Sequence, residues 1–299
     1  MKRVMYTTDW HLCFKCPGKR KETDFFDLQM DKVEEIIKIA IKNDVGLIIH
    51  GGDFFDSPRV DYWLLNAIIK RLQTLQEYNI KLYIVPGSHD MYGYNIDSLH
   101  STALGTLVET GIANILTGKL NIGDITFYGI PATLNHDVSL YAGLEKRAVV
   151  ISHNMITPTS VPYDHILLQD IPGNENLFLT GHYHRYFMIK QNNNVFINTG
   201  PVVRTDISEC AHAPCVVLLD FNGKVSIKKV DLGSAKKNVF NADVTTQEPI
   251  NFVNSLQSTK FVFCDIFDLT KQIGKAMSVP DTIITEAINR LEKVQKELS

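Results

Sequence analysis

Leu82-Tyr83-Ile84-Val85-Pro86-Gly87-Ser88-His89-Asp90 is the stretch from which the rest of the chain is read. A short apolar run stops at Pro-Gly, and a histidine and an aspartate follow at once. Buried parallel strands read as such runs, and in open α/β sheets the chemistry gathers in the crevice beyond their carboxyl ends. His89 and Asp90 are therefore expected at the mouth of a site.

The same punctuation recurs. Val4-Met5-Tyr6-Thr7-Thr8 leads to Asp9 and His11, and Leu47-Ile48-Ile49-His50-Gly51-Gly52 leads to Asp53. Ala148-Val149-Val150-Ile151-Ser152 leads to His153, and Leu177-Phe178-Leu179-Thr180-Gly181 leads to His182 and His184. Strands far apart in the chain are expected to deliver polar residues to one edge.

Between these runs the period changes from strand to helix. Met30, Val33, Ile36, Ile37, Ala40 and Ile41 predict a helix over 29–44, and Leu64, Leu65, Ile68, Ile69, Leu72 and Leu75 another over 61–77. With strands at 45–50 and 80–85 this is the order of parallel crossover units. A helix at 97–110 closes the first half, and strands at 113–117, 125–130 and 148–152 suggest a second sheet packed on the first. Two β-rich segments follow, 177–198 and 215–231, the latter turning at Asn222-Gly223. The expected fold is an α/β layered sandwich of two mixed β-sheets flanked by helices. Residues 233–250 read as linker, and beyond them a strand at Phe261 to Phe267 and an amphipathic helix from about Asp281 form a small appendage. The expected division is a domain over 1–235 and a linker plus small C-terminal region over 236–299.

The 299 residues suffice for a large core, and 44% hydrophobic with 21% charged residues is ordinary for a soluble globular protein. A formal charge of −3 gives no global basic footprint, so any phosphate-binding patch must be local. The five cysteines are an odd number, with no secretory apolar run behind Lys2-Arg3 and no run of membrane-spanning length. The expectation is a reduced, cytoplasmic protein with no membrane segment. Cys13 and Cys16 have the spacing of half a zinc site, but no matching second pair completes it, so they read as free thiols.

Asp9, His11, Asp53, His153, His182 and His184 combine carboxylates with imidazoles, a donor set that suits manganese, iron or zinc better than magnesium. A carboxylate such as Asp53 can bridge two ions, which together activate a water and neutralise a phosphoryl group. The chemistry expected is that of a dinuclear phosphoester hydrolase. Taken singly, each residue reads more readily as a loop histidine or a turn aspartate than as a ligand; it is their repetition at successive strand ends that favours ligands. His50, His100, His136, His165 and His212 match no such position and read as structural.

As an ordered set, Asp9-Trp-His11, Gly52-Asp53, Gly87-Ser88-His89-Asp90, Ser152-His153 and Gly181-His182-Tyr-His184 resemble the motifs of the calcineurin-like metallophosphoesterases, over residues 5–184. Gly52-Asp53-Phe54-Phe55-Asp56 is similar to the Gly-Asp-x-Phe-Asp of SbcD-type DNA repair exonucleases. Thr199-Gly-Pro-Val-Val-Arg204-Thr-Asp-Ile-Ser-Glu209 resembles a further segment of theirs, which extends the likeness over residues 1–235.

The resemblance implies one metal on Asp9, His11, Asp53 and His184, and another on Asp53, His153, His182 and residue 88. The chain departs there: Ser88 stands where the family has an asparagine, and its hydroxyl is the shorter, poorer ligand. His89 would protonate the leaving oxygen or stabilise phosphate charge, with Asp90 orienting it. Arg204 could fork onto a substrate phosphate or pair with Glu209. Arg59 and the basic loop of Lys15, Lys19, Arg20 and Lys21 are candidates for contacts to a DNA backbone, the loop reading equally as a solvated charge run. The implied function is a manganese-dependent DNA nuclease that works as a homodimer with an SbcC-type, SMC-like ATPase, for which the helix near 281–297 is the candidate docking site. Two other readings keep the same site: a small-molecule or cyclic-nucleotide phosphodiesterase, and a scaffold that binds DNA or the ATPase and scarcely cuts.

Overall fold

The computed structural model describes residues 3–222, 225–235, 239–240, 285 and 288. The chain divides into two compact units, Met1–Ala242 and Asp243–Ser299. The first carries every strand described below.

Each apolar run becomes a strand, and alternation along it sends residues to opposite faces. In the strand Arg3–Thr7, Val4 and Tyr6 enter the core between two sheets, while Met5 enters the core under the helices. The strand Val45–His50 repeats the pattern, with Leu47 and Ile49 on one face and Ile48 on the other. Both faces are therefore apolar, which is why these runs look continuous and not alternating.

The first sheet runs in the order Ser226–Asp231, Cys215–Asp220, Arg3–Thr7, Val45–His50, Lys81–Ile84, Asn114–Ile115. Its pairings are parallel from Arg3–Thr7 outward to Asn114–Ile115 and antiparallel on the other side. The second sheet runs Phe187–Gln191, Asn194–Asn198, Leu177–Thr180, Val149–Ser152, Ile125–Ile130, Gly118–Ile122, with parallel pairings at its centre and antiparallel hairpins at its edges.

Helices Phe25–Lys42 and Tyr62–Glu77 cover the outer face of the first sheet. Their stripes of Val33, Ile36 and Ala40, and of Leu64, Ile68 and Leu72, are fully buried. Asp61 starts the second helix by accepting the Trp63 N–H at 2.7 Å. The outer face of the second sheet is covered differently, by loops, short 3-10 turns and the two-stranded pair Ile156–Thr157 with Ile166–Leu167, which bring Tyr141, Ile156, Leu168 and Ile171 onto Val150, Phe178 and Phe196.

Three sequence expectations change. The helix expected over 97–110 is two pieces, a 3-10 turn Ile96–Ser101 and a helix Ala103–Glu109, because Thr102 caps the second by accepting the Gly105 N–H at 3.1 Å. The strand expected over 113–117 as part of the second sheet instead pairs, as Asn114–Ile115, with Lys81–Ile84 in the first. Gly118–Ile122, not anticipated, forms the second sheet's edge by folding back on Ile125–Ile130, with Gly123 at φ 60° in the turn. The hairpin expected at Asn222-Gly223 forms between Cys215–Asp220 and Ser226–Asp231. Most of the expected linker over 233–250, the strand at Phe261 to Phe267 and nearly all of the closing helix lie outside the described residues; Thr285 and Ile288 are helical. Among the described residues no helix is long and apolar enough to cross a membrane.

Thr7, His50, Ile84, Ser152 and Thr180 all end parallel strands, and the loops that leave them converge.

Candidate metal centre

The loops that carry the predicted ligands are tied by backbone hydrogen bonds before any side chain acts. Asp9 N–H donates to the Gly52 carbonyl at 2.9 Å and His11 N–H to the Asp53 carbonyl at 3.0 Å. The crossing holds Asp9, His11 and Asp53 at φ of 51°, 46° and 52°, and His182 lies at 70°. Left-handed backbone is costly for residues with a Cβ and persists where the surroundings over-determine it. Gly52 and Gly87 make the approach possible: a Cβ on Gly52 would fall 2.3 Å from His153 Nδ1, and one on Gly87 would fall 2.2 Å from Asp53 Oδ1.

The side chains then converge in two groups. Asp9, His11 and His184 form one and Asp53, His153 and His182 the other, each offering ligand atoms within 4.8 Å of one another. His11 Nε2 lies 3.0 Å from His184 Nε2, and Asp9 Oδ1 lies 3.6 Å from His184 Nε2. In the second group His153 Nε2 lies 3.0 Å from Asp53 Oδ2, which is also 3.7 Å from His11 Nε2 and so faces both groups. Ser88 Oγ reaches the same oxygen at 3.5 Å.

Electrostatics favour a cation at this point. Burial alone would raise the Asp9 and Asp53 carboxyls, yet His184 and His153 hold both below their ordinary range. Burial opposes charging His153 and His184, but Asp53 lifts the first to about 9, and Asp9 with Glu209 lifts the second to about 10. Burial and the neighbouring His153 press His182 down to about 3, which keeps it neutral, the form that ligates.

The donor set fits divalent ions on two observations. Asp9 Oδ2 is buried with no hydrogen-bond partner among the described residues, an expensive state for a carboxylate oxygen unless a cation meets it. His11 and His184 both spend Nδ1 on carboxylates, at 3.1 Å from Asp56 and 2.5 Å from Glu209, so both Nε2 lone pairs face one point. Ligand atoms 3.0 to 3.9 Å apart are what bonds of roughly 2.1 Å to a shared ion produce.

A profile of calcineurin-like phosphoesterases matches residues 2–209. The chain belongs to the calcineurin-like phosphoesterase family. It is similar to proteins named DNA double-strand break repair protein Mre11. That of Methanococcus maripaludis is 24% identical over 299 aligned positions, covering 89% of this chain and 78% of the relative. That of Sulfurisphaera tokodaii is 24% identical, covering 97% and 77%. That of Methanosarcina mazei is 28% identical over 69% of this chain, which spans about a third, 34%, of that relative's length. A dimetal phosphatase of Danio rerio shares the fold, at a TM-score of 0.51 and 11% identity over 77% of this chain and 97% of that one.

Within this calcineurin-like site, the residues read from the sequence separate into those that meet and those that do not. The seven predicted ligands Asp9, His11, Asp53, Ser88, His153, His182 and His184 meet at the convergence of the loops. His89 stands exposed at the rim, its ring 4.9 Å from that of His11 and edge-on to it. Its Nδ1 lies 2.8 Å from the Asp56 carbonyl oxygen.

Asp90, expected to orient His89, is spent elsewhere. Its carboxylate accepts N–H groups from Phe54 at 3.0 Å, Phe55 at 3.3 Å and Gly87 at 2.9 Å, clamping the loop of Asp53 to the loop of His89. Asp56 orients His89 instead, through its main chain, while its side chain backs His11.

The basic candidates divide too. Arg20 is 6% exposed, pairs with Glu22 at 2.7 Å and donates to the Arg204 carbonyl, so it is a buried brace and presents no charge to a DNA backbone. Arg204 is 3% exposed and donates to the carbonyls of Cys210 and His212 at 3.2 and 3.3 Å; it does not stand open to a substrate phosphate. Lys19 is exposed but paired with Asp206 at 2.6 Å. Arg59 is exposed and lines a surface cavity with Tyr62 and His100, none of them a predicted ligand.

Sequence reading missed Asp56 and Glu209 as supports of the imidazoles, although both stand in the quoted motifs. It set aside His50 and His136, which lie at the margin: His50 Nδ1 accepts the Gly52 N–H at 3.1 Å, and the His136 ring is 5.8 Å from that of His182.

Proposed function

We propose that the chain is a divalent-metal-dependent phosphodiesterase that cuts DNA in double-strand break repair. What carries the reading is the meeting of Asp9, Asp53 and four imidazoles at one sheet edge with an exposed histidine at its rim. The similarity to proteins named for double-strand break repair supports DNA as the substrate class.

Asp9, His11 and His184 would hold one ion and Asp53, His153 and His182 the other, with Asp53 shared and Ser88 beside it. When bound, such ions supply a nucleophilic water at neutral pH and neutralise charge on the phosphoryl oxygens. The chain's own residues do the rest. Left-handed turns and crossing backbone bonds hold the carboxylates before substrate arrives, so no reorganisation is needed at the moment of reaction. The His89 Nδ1–H is committed to the Asp56 carbonyl, which leaves Nε2 as the nitrogen that donates to a phosphoryl oxygen or passes a proton to the leaving oxygen.

The mixed carboxylate and imidazole set makes manganese the preferred ion, with iron or zinc as substitutes. A homodimer and an SMC-like ATPase partner of the SbcC kind complete the proposal, residues 236–299 being the candidate docking region, and the cytoplasm is the compartment this reading requires.

The test is digestion of single- and double-stranded DNA beside a chromogenic phosphodiester, with manganese supplied and His89→Ala as control. Loss of DNA that disappears in the variant is expected. Cleavage of the small diester alone would favour a small-molecule phosphodiesterase, and hydrolysis of neither substrate would favour the scaffold reading.

A further inference from the structure

The two halves of the centre are braced by different chemistry. Behind His11 stands the Asp56 carboxylate, 3.1 Å from Nδ1, and behind His184 stands Glu209, 2.5 Å from Nδ1. Glu209 is 4% exposed, and its second oxygen accepts the N–H groups of Thr205 at 2.7 Å and Asp206 at 3.1 Å, so it cannot swing away. Behind His153, among the described residues, stands a backbone carbonyl, that of Gly51 at 2.6 Å from Nδ1. His182 meets His153 and His136 through ring contacts, at centroid separations of 5.1 and 5.8 Å. Ser88 Oγ, 3.5 Å from Asp53, completes that side with a neutral hydroxyl. The Asp90 carboxylate, on the loop beside Asp53, is spent on backbone N–H groups.

A carboxylate behind an imidazole fixes its tautomer and makes its far nitrogen a stronger donor, whereas a neutral carbonyl does mainly the first. Two nearby anions also add to the field at the Asp9 side. We infer that Asp56 and Glu209 are positioning residues that make the pocket of Asp9, His11 and His184 the tighter cation site. The pocket of Asp53, His153, His182 and Ser88 fills second, at a higher cation concentration. The centre then passes through a singly loaded state, and hydrolysis follows the loading of the second site, so the available divalent ion sets the activity. This inference rests on the dinuclear reading proposed above.

Calorimetric titration of the whole chain with manganese, read beside the paramagnetic resonance of the bound ion, tests it. Two binding events at least tenfold apart in Kd are expected, with isolated-ion spectra at the first equivalent and coupled-pair spectra at the second. Glu209→Gln and Asp56→Asn each weaken the first event by about 10–100-fold. Ser88→Asn tightens only the second. Asp56 is half in solvent, so Asp56→Asn keeps the test valid if Glu209→Gln fails to fold. Two ions of equal affinity in a chain that hydrolyses a phosphodiester would overturn the inference and leave the proposed function standing, as would Glu209→Gln and Asp56→Asn variants that bind both ions like the parent. A chain that binds no manganese and hydrolyses nothing would overturn both.

Discussion

The two sheets supply different chemistry to one edge. Loops leaving the first sheet bring the carboxylates Asp9 and Asp53, the imidazole His11 and the exposed His89, and they are laced together through backbone bonds and left-handed turns. Loops leaving the second sheet bring the ligand imidazoles His153, His182 and His184, and polar contacts dock them to the first. Tyr6 Oη donates to the Thr180 carbonyl at 2.8 Å, the His182 N–H donates to Asp9 Oδ1 at 3.1 Å, and His153 Nδ1 meets the Gly51 carbonyl at 2.6 Å. The first sheet holds the ligand carboxylates in place, and the second closes imidazoles over them. A site of this kind exists only across the inter-sheet core of Val4, Tyr6, Leu47, Ile49, Ile151 and Leu179.

If that division is right, the largest loss comes from the carboxylate that faces both sides. Asp53→Asn is expected to reduce phosphodiester hydrolysis by more than the roughly 10²–10⁴-fold typical of losing a general acid. Manganese stoichiometry measured in the same preparation should fall to one ion or none, and a variant keeping activity within tenfold would break the comparison. His89→Gln comes next: turnover should drop by about 10²–10⁴-fold while ion binding and KM stay put, because the residue sits at the rim and not between the sheets. A His89 variant that loses metal would move it into the ligand set.

Arg20 and Lys19 sharpen the contrast between bracing and contact. The Arg20 side chain is 2% exposed and its partner Glu22 8%, so Arg20→Ala leaves a buried carboxylate alone and should cost about 3–5 kcal/mol in urea unfolding. Lys19 and Asp206 are about half exposed, and Lys19→Ala should cost at most about 1 kcal/mol. A weaker grip on DNA in Arg20→Ala without a change in unfolding would reverse the assignment.

The smallest expected effect is a pH trend. Lys32, on the helix behind the first sheet, is 3% exposed and donates to the carbonyl of Val202 at 2.8 Å, in the loop beyond Asn194–Asn198. Burial, then Arg20 and Arg204, push its ammonium down from 10.5 to about 7. Below about 7 the folded and unfolded chains both hold the proton. Between about 7 and 10.5 only the unfolded chain holds it, so stability should rise with pH across that window. The urea midpoint, followed over the window in parent and Lys32→Met, checks this; an unchanged slope in the variant would assign the trend to other groups.

Much of this was legible in the linear chain. Apolar runs that stop at Gly, Pro, Asp or His mark strand ends, and the change from period 2 to period 3.6 marks the crossover helices. Both are local signals, set by the geometry of strand and helix. That is why the layered fold and the residues from Asp9 to His184 are legible, in order, in the linear chain.

Tertiary structure alone decided what each polar group is used for. Asp90 follows His89 directly, yet the turn that returns the Asp90 N–H to Gly87 points its carboxylate at backbone and away from the neighbouring imidazole. Asp56 and Glu209 lie 45 and 25 residues from the histidines they back. Arg20 and Arg204 read as cations for a polyanion and are instead enclosed. Charge and residue type are written in the sequence, but burial and hydrogen-bond partnership depend on which distant segments the two sheets bring together, and no local period encodes that.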